Sequence, residues 1–158
     1  MAIIVRRVEE ADLEYLRANQ ARPDLNLVDE HYEAQEKGDL IFAVALDDDT
    51  PLGTTILDFS SEDLEPELRN MWVYPQARRK GAGRALSEWL EEEARKAGYE
   101  AVYLAVDPNN EKAVPLYVSL EYHPTGEHLF VEDPEVVQVE DGEASTHYAI
   151  YMKSLTAR

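Results

Sequence analysis

Cysteine is missing altogether from this 158-residue chain. Without it there is no disulfide framework, no Cys-based zinc site and no thiol nucleophile, so any acyl transfer must proceed without a thioester on the protein. Positive charge is scarce: 15 Lys and Arg stand against 33 Asp and Glu, a formal net charge of -18 at pH 7. Such a field repels phosphate backbones and argues against DNA or RNA as partners. It serves solubility, life at high internal salt, or the attraction of a cationic substrate. No apolar run nears the roughly 20 residues that a membrane-spanning helix needs. Met1 leads straight into Ala2-Ile3-Ile4-Val5-Arg6, without the layout of a signal peptide. The expectation is a cytoplasmic protein with a single domain over residues 1–158, since one core suffices for a chain of this size.

What is present is a regular alternation of periods. Residues 3–8 are an apolar, β-branched run that reads as a strand, and 9–19 carry Leu13, Tyr15 and Leu16 at helical spacing. Residues 27–37 predict a second helix ended by Gly38. Strands over 40–46 and 52–59 flank a polar turn through three consecutive aspartates, and a strand over 67–74 stops at Pro75. From Gly83 the period becomes helical, with Ala82, Leu86, Trp89, Leu90 and Ala97 on one face and Glu88, Glu91, Glu92 and Arg95 on the other. A strand over 101–106, a helix over 110–120 and a closing strand over 148–152 follow. Pro115 requires that last helix to start late or to begin irregularly. Residues 126–144 hold seven Asp or Glu and read as a long loop with room for a strand at its start. The element order is β-α-α-β-β-β-α-β-α-β-β.

One segment breaks the prevailing charge. Arg78, Arg79, Lys80 and Arg84 fall within seven residues, where 15 cations in 158 residues would place fewer than one. They also precede or open a helix, whose positive end disfavours cations by roughly 0.3 to 1 kcal/mol each. A bound anion resolves the conflict. Gly81 and Gly83 let backbone approach, first-turn amides donate to phosphate oxygens, and the cations neutralise them. A solvated basic loop is the plainer alternative. Neither the nucleotide P-loop nor the dinucleotide fingerprint fits, because Gly81 is followed by Ala82-Gly83-Arg84 and Leu86 stands where a third glycine belongs.

The segment resembles the signature Arg/Gln-x-x-Gly-x-Gly/Ala of the GNAT acetyltransferase superfamily, through Arg78, Gly81 and Gly83. A second stretch, with Asn110, Ala113, Leu116 and Tyr117, is similar to that family's Asn-x-x-Ala-x-x-Leu-Tyr-x-x-x-Gly-Phe. It departs at Glu121 and Tyr122, where the family has glycine and phenylalanine. The resemblance implies an α/β (α+β) fold: a mixed sheet of six to seven strands with a splayed parallel pair ending at Val73 and Val106, flanked by about four helices. It also implies acetyl-CoA as co-substrate. The pantetheine arm would lie in the gap along Met71, Trp72 and Val73, with amides near Val73 polarising the thioester carbonyl. The pyrophosphate would meet Arg78, Arg79, Lys80, Gly81, Ala82, Gly83 and Arg84, and Asn110, Ala113 and Tyr117 would complete the cofactor contacts.

The implied reaction is acetyl transfer to a primary amine of a small molecule or peptide. An amine of pKa near 10 is only about one part in a thousand unprotonated at pH 7, a deficit of roughly 4 kcal/mol, so a proton acceptor is needed. Glu67 matches the family's base, or is a surface residue at a strand start. Tyr117 matches the family's acid for the leaving thiolate, or packs in the core with its hydroxyl satisfied. His31, His123, His128 and His147 show no metal-ligand spacing, so no metal is expected. His31, Tyr32 and Glu33 fall on a helix that walls the acceptor pocket in the family, or on a surface helix. Glu127, Glu132, Asp133 and Glu135 could attract a cationic acceptor such as a polyamine, aminoglycoside or peptide amine. A non-catalytic acyl-CoA-binding sensor and a protein N-terminal or lysine acetyltransferase are the alternatives, no membrane partner is expected, and a homodimer is compatible with the sequence.

Overall fold

The computed structural model describes residues 2–61, 64–106, 113–130 and 147–156. The elements run β1 (Ile3–Arg7), α1 (Leu13–Ala18), α2 (Leu27–Glu36), β2 (Leu40–Asp47), β3 (Thr50–Asp58), β4 (Glu67–Val73), α3 (Ala82–Lys96), β5 (Ala101–Val106), α4 (Ala113–Ser119), β6 (His123–Phe130) and β7 (His147–Ser154). This is the order that the hydrophobic periods predict. The strands form one mixed sheet, ordered β1-β2-β3-β4-β5-β7-β6.

Element ends differ where local hydrogen bonding overrides periodicity. Helix α1 starts only at Leu13, because Glu10–Asp12 form a tight 3-10 turn. There the Asp12 carboxylate accepts the Glu9 N–H at 2.7 Å and both terminal nitrogens of Arg6 at 2.8 and 2.9 Å. The β2–β3 turn is tighter than the sequence suggests. Asp48 and Asp49 both take positive φ, 50° and 74°, the left-handed pair whose twist suits a two-residue hairpin, so β3 begins at Thr50. Pro115 lies within α4, two residues after the first described one.

β2 and β3 are buried at almost every position, so both sheet faces are covered there. Helix α2 packs on β2, with His31 edge-on to Phe42 at 5.4 Å between ring centroids. Helix α3 lies across β1 to β5 and contributes Leu86, Leu90 and Ala94, all fully buried. Three expectations are corrected. Glu91 is not on the solvent face of α3 but 6% exposed, because Tyr122 and Lys153 converge on it from distant strands and loops. Ala97 is exposed, since the helix has ended at Lys96. His31 is buried rather than on a solvated surface. Of the acidic stretch, 126–130 belong to β6; Glu132, Asp133 and Glu135, like Asn110, lie outside the described residues.

Candidate active site

The sheet is incomplete at one place. β4 and β5 are parallel neighbours that share a single register pair, Glu67 with Tyr103, supported by the Tyr103 N–H donating to the Pro66 carbonyl at 3.1 Å. Beyond that pair, toward Val73 and Val106, the strands separate. Their outer edges stay paired: β5 keeps six register pairs with β7, and β4 follows β3 as far as Val73. The register dictates which groups face the opening. Val73 pairs with Gly53 while the Tyr74 N–H donates to Leu52 at 2.9 Å, which makes Val73–Gly53 a non-hydrogen-bonded pair. The N–H and C=O of Val73 therefore point away from β3 into the split. Across it, Ala105 lies two residues beyond Tyr103 and turns its peptide groups the same way as the Tyr103 N–H, toward β4.

A β-bulge sets the divergence. The β3–β4 register jumps between Thr54/Trp72 and Ile56/Arg69, leaving Asn70 and Met71 opposite Thr55. Asn70 takes φ 57°, and the Thr55 hydroxyl donates to the Arg69 carbonyl at 2.8 Å. A bulge bends its strand and raises its twist, which here swings the end of β4 away from β5. Gly53 permits this approach: a Cβ on it would lie 2.6 Å from the Trp72 carbonyl oxygen.

At the mouth of the split, Pro75–Ala77 form a 3-10 turn, Arg79 and Gly81 take left-handed φ of 68° and 93°, and α3 begins at Ala82 with no side-chain cap. The first-turn amides of α3 are therefore left for solvent or a ligand. Gly83 is nearly in contact with α4, since a Cβ there would meet Leu116 Cδ2 at 3.4 Å. The four cations divide into two kinds. Arg78 donates through Nε to the Val73 carbonyl at 3.2 Å and stacks 5.5 Å from the Trp72 ring centroid, while Arg84 donates to Ser119 Oγ at 2.6 Å. Arg79 and Lys80 are exposed and make no hydrogen bond or ion pair with the described residues. Arg78 thus braces the end of β4 and Arg84 ties α3 to α4, which leaves Arg79 and Lys80 as the free positive charge at the helix end.

Tyr117 sits half-buried on α4, its ring edge-on to Tyr122 at 5.8 Å. Burial pushes its pKa up to about 12. Its hydroxyl has no partner among the described residues, yet no described buried polar side-chain atom is unsatisfied, so the hydroxyl reaches accessible space. Glu67 lies at the closed end of the split, its side chain 14% exposed and 3.8 Å from Arg69 Nε. Arg69 is in turn clamped by Asp58 at 2.9 Å and donates to Asn70 at 2.8 Å. Burial drives the Asp58 pKa upward, but hydrogen bonds from Ser60 and Arg69 outweigh it and hold this carboxyl below its ordinary value. His31, nearby on α2, is depressed to about 4, first by burial and then by Arg69. Met71, Trp72 and Ala113 pack partly buried against the core around the split, with Trp72 Nε1 donating to the Asn19 carbonyl at 2.7 Å.

Sequence reasoning placed β4, the α3 terminus and Tyr117 in one region; the structure sets Gly83 of α3 close to Met71 of β4 and Leu116 of α4, the residue before Tyr117. It missed the Asn70 bulge, for which a non-glycine left-handed residue leaves no pattern, and Ala105, whose peptide matters rather than its side chain. His128 and His147 also meet, 2.8 Å apart between ring nitrogens on paired strands, but no group of three ligand-type residues forms among the described residues.

A mixed sheet opened between two parallel strands, with an uncapped basic helix end at its mouth, defines a distinctive class of α/β fold. The model for the acetyltransferase (GNAT) family matches residues 5–122, and the chain belongs to that family. It is 32% identical over 114 residues, 72% of each protein, to the IAA acetyltransferase of Azospirillum brasilense. It shares its fold with an N-acetyltransferase from Staphylococcus aureus Mu50, at TM-score 0.76 and 17% identity over 99% of this chain and 100% of that one. The spermidine N-acetyltransferase of Vibrio cholerae, solved with CoA and spermine, gives TM-score 0.73 and 17% identity over 98% and 96%.

Proposed function

We propose that this protein transfers an acetyl group from acetyl-CoA to a primary amine of a small molecule or peptide, by direct attack in a ternary complex. The observation that carries the reading is the β4–β5 split, with the Val73 amide facing into it and Arg79, Lys80 and the uncapped α3 terminus at its mouth. An extended, diphosphate-bearing cofactor fits these features in order. Its phosphates suit the α3 amides, Arg79 and Lys80; its amide-containing arm suits the Val73 N–H and the Ala105 peptide groups, much as a peptide adds to an open sheet edge. Bound there, the cofactor supplies an activated acetyl thioester. No cysteine competes for that group.

An arm entering beside Gly81 runs past Val73 and the Asn70–Met71 bulge toward Glu67. Backbone N–H groups on this path can donate to a carbonyl oxygen as negative charge develops on it. Glu67, held near Arg69, is assigned as proton acceptor for the incoming ammonium, directly or through a water molecule. Tyr117, kept protonated by its raised pKa and with an unengaged hydroxyl, is assigned as hydrogen-bond donor to the departing thiolate. The acidic surface favours a cationic acceptor, in keeping with the spermine-bound relative.

Titration calorimetry with coenzyme A, followed by thiol release across a panel of amines, tests this reading. Glu67→Gln should flatten the acid side of the pH–rate profile and Tyr117→Phe should lower kcat about tenfold or more. Binding without thiol release for any amine would identify an acyl-CoA-binding sensor instead, and absence of binding at millimolar concentration would end both readings.

A further inference from the structure

Behind Tyr117 lies a charged arrangement that the proposed reaction does not use. The Tyr122 ring, 1% exposed, meets Tyr117 edge-on, and the Tyr122 N–H donates to the Tyr117 carbonyl at 2.9 Å. The Tyr122 hydroxyl turns the other way and donates to Glu91 Oε2 at 2.9 Å. The other oxygen of Glu91 accepts from Lys153 Nζ at 2.8 Å, and that ammonium also lies 5.9 Å from the Tyr122 ring centroid. Three elements, α3, the turn after α4 and β7, thereby meet at one carboxylate, which is 6% exposed.

Such a site is not a cheap way to hold a fold together. Taking an ion pair out of water costs several kcal/mol per ion before attraction restores it, and well-packed apolar residues of equal volume commonly do as well. What a buried, fully hydrogen-bonded group does better than an apolar one is fix direction: Tyr122 can rotate or slide only by breaking its bond to Glu91. Its ring in turn forms a wall against Tyr117.

We propose that Tyr122, anchored by buried Glu91 and its part-buried partner Lys153, is a positioning residue that sets the orientation of the Tyr117 side chain toward the split. The inference rests on the assignment of Tyr117 as the donor to the departing thiolate. It predicts that loosening Tyr122 acts on turnover and not on cofactor affinity, because the polar partners of Glu91 are Tyr122 and Lys153, and neither Arg79 nor Lys80 bonds to any of the three.

The test is a double-mutant cycle on the full chain with acetyl-CoA and any amine that supports turnover. Tyr122→Phe keeps the ring and removes the anchor; Glu91→Gln keeps an acceptor and removes the charge. Each should lower kcat by about three- to tenfold with the KM for acetyl-CoA changed less than about twofold, as expected for a small misplacement of a reacting group. In a Tyr117→Phe background the same substitutions should have no further effect on kcat, since residues acting through one group are not additive. Equal losses in both backgrounds, or no loss in the otherwise intact enzyme, would overturn the inference while leaving Tyr117 as the donor. If Tyr117→Phe alone leaves kcat unchanged, the assignment of Tyr117 fails and the positioning role fails with it.

Discussion

Between Leu40 and Asp58 the chain forms a hairpin whose two strands pair from end to end and are buried on both faces; between Glu67 and Val106 two neighbouring strands share one register pair and part. The first region satisfies its backbone groups internally and excludes water. The second leaves the peptide groups of Val73 and Ala105 facing a gap, at whose mouth Arg79 and Lys80 have no partner among the described residues. One sheet thus holds a closed part that supplies rigidity and an open part that withholds pairing from itself. Strand edges left unmet are a liability in a folded protein, and they persist where something else is to occupy them. Asn70 on β4, and Gly53 on β3 opposite Val73, join the two.

The largest effect should come from disturbing that junction. A Cβ on residue 53 would stand 2.6 Å from the Trp72 oxygen and 2.8 Å from the Val73 Cα, both backbone atoms that cannot rotate aside. Gly53→Ala should cost about 3 kcal/mol by forced separation of β3 from β4, read as a lowered urea midpoint. An unchanged midpoint would mean that the strands do not approach as described.

Second is charge in the closed part. His31 has a pKa of about 4 in the fold against 6.5 unfolded, so between those values the unfolded chain binds the extra proton. Stability should be full above about pH 6.5 and fall as pH drops toward 4, by roughly 2 kcal/mol between pH 7 and 5. Arg69 lowers this pKa and Asp58 raises it, so the dependence belongs to the cluster. His31→Leu should remove most of the slope; an equally steep loss in that variant would place the cause elsewhere.

The open part should respond in function rather than stability. Arg79→Gln combined with Lys80→Gln removes two exposed cations with no partners among the described residues, so the thermal midpoint should stay put. The KM for acetyl-CoA should rise about tenfold, with a weaker dependence on salt than in the parent protein. Arg84→Gln, which breaks the 2.6 Å bond to Ser119, should shift the thermal midpoint instead.

How far these regions could be read from sequence follows the same division. Element order and the hairpin were legible because period and turn residues act locally. The basic helix start was legible because four cations there contradict their surroundings. The split itself was expected only by resemblance: no residue pattern marks a peptide group that lacks a neighbour. Long-range partners were not legible at all. Glu91 reads as solvent-facing on any helical wheel, and only Tyr122 and Lys153, 31 and 62 positions away, make its burial tolerable. Arg78 and Arg84 look equivalent to Arg79 and Lys80 until Val73, Trp72 and Ser119 are placed beside them.

The smallest effect sharpens the comparison by adding stability to the open part. After α4, the Tyr122 N–H donates to the Tyr117 carbonyl at 2.9 Å and the Glu121 N–H to the Val118 carbonyl at 3.0 Å, the paired bonds of a Schellman ending. That ending needs a left-handed residue, and Glu121 supplies it at φ 75°, where a side chain costs roughly 1–2 kcal/mol relative to the right-handed well. Glycine at this position would relieve the strain and lose part of the gain to its freer unfolded chain, a net stabilisation of about 0.5–1 kcal/mol. Glu121 is exposed and bonds through its backbone, so Glu121→Gly should raise the thermal midpoint while leaving the KM for acetyl-CoA unchanged. A fall in kcat alongside that rise would show that the strained turn, and not only the ring of Tyr122, bears on Tyr117.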